Sequence, residues 1–153
     1  MQSIETTIDI DASPAAVWAV LTDFAAYPEW NPFVQRIDGS PTDGNRLSVR
    51  IQPPEGRGMT FKPRITAVDP ERRLEWLGRL FVRGLFDGRH TFELSPLPSG
   101  GTQFTQRETF SGLLVGMLLD EADIREGFDA MNVALKDRIE GSERSEPAAT
   151  VTA

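Results

Sequence analysis

The chain has 153 residues, a length that suits one domain around one hydrophobic core. Its formal net charge of −7 argues against nucleic acid and against docking to anionic lipid, because both need a basic face. It has no cysteine, which removes disulfides, thiolate nucleophiles and cysteine metal sites, and with a single histidine neither a metal nor a cofactor is expected.

The first segment, Ser3 to Asp11, alternates strictly. Ile4, Thr6, Ile8 and Ile10 fall on one face, and Glu5, Thr7 and Asp9 on the other, as in a half-buried strand. Ser13-Pro14 supplies an N-cap and a proline at the first helical position, so a short helix is predicted over Pro14 to Thr22. Pro28 and Pro32 make Tyr27 to Phe33 a compact helical turn and loop.

Six strands follow, at Val34–Asp38, Arg46–Gln52, Met59–Val68, Arg73–Leu80, Gly88–Ser95 and Thr102–Phe110. Turn sequences such as Asp43-Gly44, Asp87-Gly88 and Pro98-Ser99-Gly100-Gly101 separate them, so consecutive hairpins should form an antiparallel meander. The last element is a long helix over Leu119 to Glu140, with a start as early as Leu114 also open. Met117, Ile124, Phe128, Met131, Leu135 and Ile139 make its apolar stripe. The tail from 141 to 153 has little apolar content and is expected to be disordered, leaving residues 1–140 as the domain. The N-terminus carries no signal-peptide pattern, and the longest apolar stretch, Leu113 to Leu119, is too short to span a bilayer. A cytoplasmic protein without stable membrane insertion is the expectation.

Several stretches, in order, resemble the SRPBCC (START-like) superfamily, nearest its polyketide cyclase/dehydrase-type branch. They are Ile10-Asp11-Ala12-Ser13-Pro14-Ala15-Ala16-Val17-Trp18, Tyr27-Pro28-Glu29-Trp30-Asn31-Pro32-Phe33, Arg73-Leu74-Glu75-Trp76, Glu108-Thr109-Phe110-Ser111-Gly112 and Gly127 to Lys136. The resemblance covers about residues 3 to 140. It implies an α+β helix-grip fold: a curved seven-stranded antiparallel sheet wrapped around the long C-terminal helix, with two short helices between strands one and two. It also implies a deep cavity between sheet and helix. Fold alone does not choose among the carriers, cyclases and regulators of such a superfamily.

Strand parity puts His90 inward with Phe92 and Leu94, and Glu108 inward with Phe104 and Phe110. An inward carboxylate is costly unless paired. Glu108 is read as a polar group of the cavity wall, against an alternative in which it pairs with Arg64 or Arg107. His90 is a candidate proton shuttle, against a satisfied core histidine. Trp76, Phe92, Phe104 and Phe110 are expected to line the cavity from the strands. Phe128, Met131 and Asn132 should line it from the helix, with Asn132 alternatively tying helix to strand.

Three segments, 53–58, 80–88 and 112–119, are read as a gate at one end of the cavity. The apolar stretches 80–86 and 113–119 could otherwise make a homodimer contact or a membrane-docking lip. There is no G-x-S-x-G elbow, Walker loop, dinucleotide fingerprint or H-E-x-x-H helix. The leading expectation is binding of a hydrophobic small molecule, lipid-like or aromatic. The alternatives are a polyketide cyclase/dehydratase with His90 and Glu108 as acid and base, and a protein-interaction module acting through its apolar loops.

Overall fold

The computed structural model describes residues 2–80 and 83–145. Its strands are β1 (Gln2–Ile10), β2 (Val34–Asp38), β3 (Ser48–Ile51), β4 (Met59–Phe61), β5 (Arg64–Asp69), β6 (Arg73–Leu80), β7 (Phe86–Pro96) and β8 (Thr102–Ser111). The helices are α1 (Pro14–Leu21), the single turn α2 (Val115–Leu118) and the long α3 (Glu121–Ser145), with a 3-10 turn over Phe24–Glu29. All pairings are antiparallel, in two sheets ordered β1-β8-β7-β6-β5 and β2-β3-β4. The arrangement is the expected α+β helix grip, with α3 packed inside the curved sheets.

Local chemistry explains the element ends. Ser13 Oγ accepts the Ala16 N–H and Pro14 opens α1, a cap on one orphan donor of the first turn. Asn31 Oδ1 accepts the N–H groups of both Phe33 and Val34, which turns the chain from the 3-10 segment into β2. Along β1, Ile4, Thr6 and Ile10 are buried while Glu5, Thr7 and Asp9 are exposed, as the alternation requires.

Four boundaries differ from expectation. The turn expected at Asp87-Gly88 lies inside β7, where the two residues pair with Arg79 and Gly78 of β6. The strand predicted over Met59–Val68 is two strands, so there are eight rather than seven. Pro63 has no N–H to continue a ladder. Its carbonyl instead accepts the Leu47 N–H at 2.8 Å, and the chain passes from one sheet to the other. The C-terminal helix is broken at Leu119, which is extended. Asp120 then begins α3, its Oδ1 accepting the Asp123 N–H at 3.1 Å. At the other end α3 runs to Ser145, past the expected limit at 140, because elongating an anchored helix adds one hydrogen bond per residue. The rest of the predicted tail, 146–153, lies outside the described residues, as do Phe81 and Val82 of one apolar loop.

Among the described residues, hydrogen bonds join β1 and the residue after it to the last helix. Arg125 donates to the Glu5 carbonyl, Asn132 to Thr6 Oγ1 and Lys136 to the Asp9 carbonyl, and Glu140 accepts the Asp11 N–H. Phe128, Met131, Leu135 and Ile139 form the buried stripe of α3, in one cluster with Trp76, Phe92 and Phe104. Among the described residues no helix is long and apolar enough to cross a membrane.

Candidate functional site

The strands place inward side chains in cross-strand rows. One row runs Ile4, Glu108, His90, Trp76, Ile65 across β1, β8, β7, β6 and β5. Two residues along each strand on one side, the row is Gln106, Phe92, Leu74, and it is filled. Two residues along on the other side, the row is Phe110, Gly88, Gly78. Two adjacent glycines contribute no side chain of their own there, so Phe61 approaches Gly78 and Glu108 approaches Gly88 closely.

Over these glycines lies a cavity of about 450 Å³. Its sheet wall is Trp76, Gly78, Gly88, His90, Glu108 and Phe110. Phe33, Val34, Ile51, Met59 and Phe61 close it from the smaller sheet, and Asp123, Ile124 and Phe128 from α3. Arg57, Arg79 and Asp120 border it from exposed positions and form its rim.

The three segments expected to form a gate border this one cavity, through Pro53, Gly56, Arg57 and Gly58, through Phe86 and Gly88, and through Leu119. Leu113 and Leu114 donate their N–H groups to the carbonyls of Gly84 and Leu85, joining two of the segments. Gly112 lies at φ +123°, where a Cβ would sit 2.4 Å from the Leu85 carbonyl oxygen, so only glycine allows this approach. The 53–58 loop is fastened to α3 by the Glu55 N–H, which donates to Asp123 Oδ1 at 2.8 Å.

The polar groups form one buried chain. Glu108 Oε2 lies 3.0 Å from His90 Nδ1. His90 Nε2 lies 2.9 Å from Gln106 Oε1. Gln106 Nε2 donates to Asn132 Oδ1 and to the Phe128 carbonyl, and Asn132 Nδ2 donates to Thr6 Oγ1. His90 also stacks on Phe92, with ring centroids 4.3 Å apart. Neither proposed arginine partner reaches Glu108. Arg107 pairs with Glu5 and Glu93, and Arg64 donates to the Gly44 carbonyl.

Another carboxylate, Glu75, is buried on the same sheet but points the other way. Its oxygens accept from Thr66, Arg89 and Thr91 at 2.8–2.9 Å. Burial pushes its carboxyl up, but these three hydrogen bonds and the Arg89 charge outweigh burial and hold it below the usual range.

Of the expected lining residues, Trp76, His90, Glu108, Phe110 and Phe128 border the cavity. Phe92, Phe104, Met131 and Asn132 do not. They face inward as expected but lie on the filled side of the His90 row, where Phe92 stacks on Phe104 and packs edge-on to Trp76. Asn132 ties α3 to β1 and β8. Gln106, which holds His90, was overlooked despite sharing the inward parity of Glu108. So were Phe33, Ile51, Phe61, Phe86, Ile124 and Asp123. The inward alternation of β3 and β4 could have found Ile51 and Phe61, and Gly78 opposite Gly88 was the sign of the hollow. Among the described residues, no group of three or more His, Asp or Glu side chains is placed to hold a metal ion.

Residues 1–140 match the family described as polyketide cyclase / dehydrase and lipid transport. The chain belongs to this family. Its fold is shared with solved structures of low identity. Protein MLL2253 from Mesorhizobium loti is 20% identical with a TM-score of 0.71, over 91% of this chain and 97% of that one. A START superfamily protein from Mycobacterium smegmatis is 16% identical with a TM-score of 0.69, over 91% and 97%. DynU16, a putative protein in the dynemicin biosynthetic locus, is 18% identical with a TM-score of 0.69, over 92% of this chain and 48% of its own. No curated protein matches the sequence.

Proposed function

We propose that this family member binds a hydrophobic, ring-containing small molecule in the cavity between sheet and helix. The observation that carries the reading is the hollow itself. About 450 Å³ is bounded mainly by aromatic and aliphatic side chains, with one His–Glu pair on its inner wall and charged groups at its rim. That is the composition of a small-molecule pocket: apolar walls supply affinity and a few polar atoms set orientation. The glycine row lets the cavity reach the strands between Trp76 and Phe110, with Phe61 packed over Gly78 as one wall for a ring.

Titration with the neutral fluorescent dye Nile red tests this. One saturable site is expected. It should be lost when the cavity is filled from either wall, by Gly78→Leu from β6 or Ile124→Trp from α3, while the melting temperature shows both variants folded. Undiminished one-site binding in both would reject the cavity as the site.

A second reading is cyclisation or dehydration of a polyketide, favoured by the 3.0 Å contact between His90 Nδ1 and Glu108 Oε2 at the cavity wall. An acid–base couple within reach of a bound enolisable ketone is what such chemistry needs. Turnover of a poly-β-ketone mimic that disappears in His90→Ala would support it. No turnover in the parent protein leaves binding alone.

A further inference from the structure

The buried polar chain determines what kind of atom the cavity offers to a ligand. The Phe128 carbonyl has no proton, so the Gln106 atom facing it at 3.2 Å must be the amide nitrogen. Gln106 Oε1 is therefore the atom facing His90 Nε2, and Nε2 must carry a hydrogen to donate. That leaves His90 Nδ1 against Glu108 Oε2 at 3.0 Å. A lone pair on Nδ1 facing an ionised carboxylate would be two acceptors in contact. One proton therefore lies between them, and the pair is either imidazolium with carboxylate or imidazole with carboxylic acid. Both arrangements carry zero net charge.

In both, the other oxygen of Glu108 has only lone pairs to offer. This Oε1 lies over the bare strand at Gly88, where a Cβ would sit 3.0 Å from it, and Glu108 makes no second hydrogen bond among the described residues. The other carboxylates of the lining, Asp123 and Asp120 at the rim, are likewise acceptors. Both ring nitrogens of His90 are already engaged.

We propose that Glu108 Oε1 is an acceptor on the inner wall of the cavity that selects neutral ligands carrying a hydroxyl donor, such as a phenol or an enol. Ethers and ketones leave Oε1 unpaired, and carboxylates place a second acceptor against it. Gln106 is a positioning residue: it holds the Nε2–H tautomer and so keeps the proton between His90 and Glu108. The inference rests on the ligand-binding reading and names its ligand class.

The test is calorimetric titration with 2-naphthol, 2-methoxynaphthalene and 2-naphthoate. The parent should bind the naphthol about tenfold more tightly than the ether, the scale of one hydrogen bond, and the naphthoate most weakly. Glu108→Leu should bring naphthol and ether together. Glu108→Gln should keep the preference, because its amide nitrogen can donate to Nδ1 and leave the carbonyl oxygen toward the ligand. A ¹⁵N spectrum of His90 should show Nε2 protonated in both the parent and Glu108→Gln.

Equal binding of naphthol and ether in the parent, or loss of the preference in Glu108→Gln, overturns the acceptor site while the cavity reading stands. Tightest binding of the naphthoate overturns it too, and assigns the ligand to the rim arginines. If none of the three binds, the cavity reading fails and takes the proposal with it.

Discussion

The concave face of the large sheet has a filled half and a hollow half, separated by a single cross-strand row. On one side of His90, β7 and β8 present Phe92, Leu94, Phe104 and Gln106, all buried and met by Met131 and Leu135 of α3. On the other side, β6 and β7 present Gly78 and Gly88, and the first turn of α3 presents Asp123 and Ile124. The strands and the helix are the same. What differs is whether the inward position carries a ring or a hydrogen atom. A half-filled grip has a rigid base from which to hold one wall of a cavity open, and the polar chain from Glu108 to Thr6 lies along that division.

The contrast is sharpest in two phenylalanines. Phe92→Ala, on the filled side, should lower unfolding free energy by about 3–5 kcal/mol, since transfer and cavity contributions both apply. Urea denaturation would read it, and affinity for an apolar probe should change little in the surviving folded protein. Phe128 is also fully buried but borders the existing hollow. Phe128→Ala removes apolar burial without opening a new void, so its cost should be nearer about 1.5–3 kcal/mol, the transfer contribution alone. Here probe affinity should change as well. Equal costs for the two would break the distinction between the halves.

The smallest effect is on the convex face, where Glu75 provides the structural counterpart of Glu108. Its folded carboxyl is held below the ordinary value, so its contribution is present above the unfolded carboxylate range near pH 4.3 and fades as pH falls through the lower folded value. Glu75→Gln should therefore flatten the acid limb of the stability–pH curve below about pH 4, with probe affinity unaltered. An unchanged acid limb would show that Thr66, Thr91 and Arg89 are not holding the charge.

The fold was legible because its signals are periodic. Alternation marked β1, β6, β7 and β8, and the stripe from Ile124 to Ile139 marked α3. The break at Pro63 falls inside the single strand expected over Met59–Val68, because alternation continues across a proline whose missing N–H stops the ladder. The site was half legible. Parity identifies the face a side chain points to, which put Trp76, His90, Glu108 and Phe110 on the side of the sheet that the cavity occupies, and the helical stripe did the same for Phe128. Neither carries information on how far along the face the helix seals against the sheet, so Phe92, Phe104, Met131 and Asn132 were assigned to the lining as well. The role of Gln106 depends on a carbonyl of α3 and a ring on β7, a meeting that only the tertiary fold makes.

The hydrogen bonds between the N-terminal segment and α3 have a consequence in time. β1 finds its strand partner in β8, about a hundred residues later, and its helix partner later still, with Arg125 and Glu5 separated by 120 positions and Glu140 and Asp11 by 129. A chain made from its N-terminus must hold β1 unpaired while nearly everything else is synthesised, and loop closures this long slow folding. Refolding should therefore fall in the millisecond-to-second range of non-local topologies, as stopped-flow tryptophan fluorescence would record. Until α3 docks, the aromatic surface of the sheet stays open to water. A ligand captured during that interval would be enclosed without passing the rim.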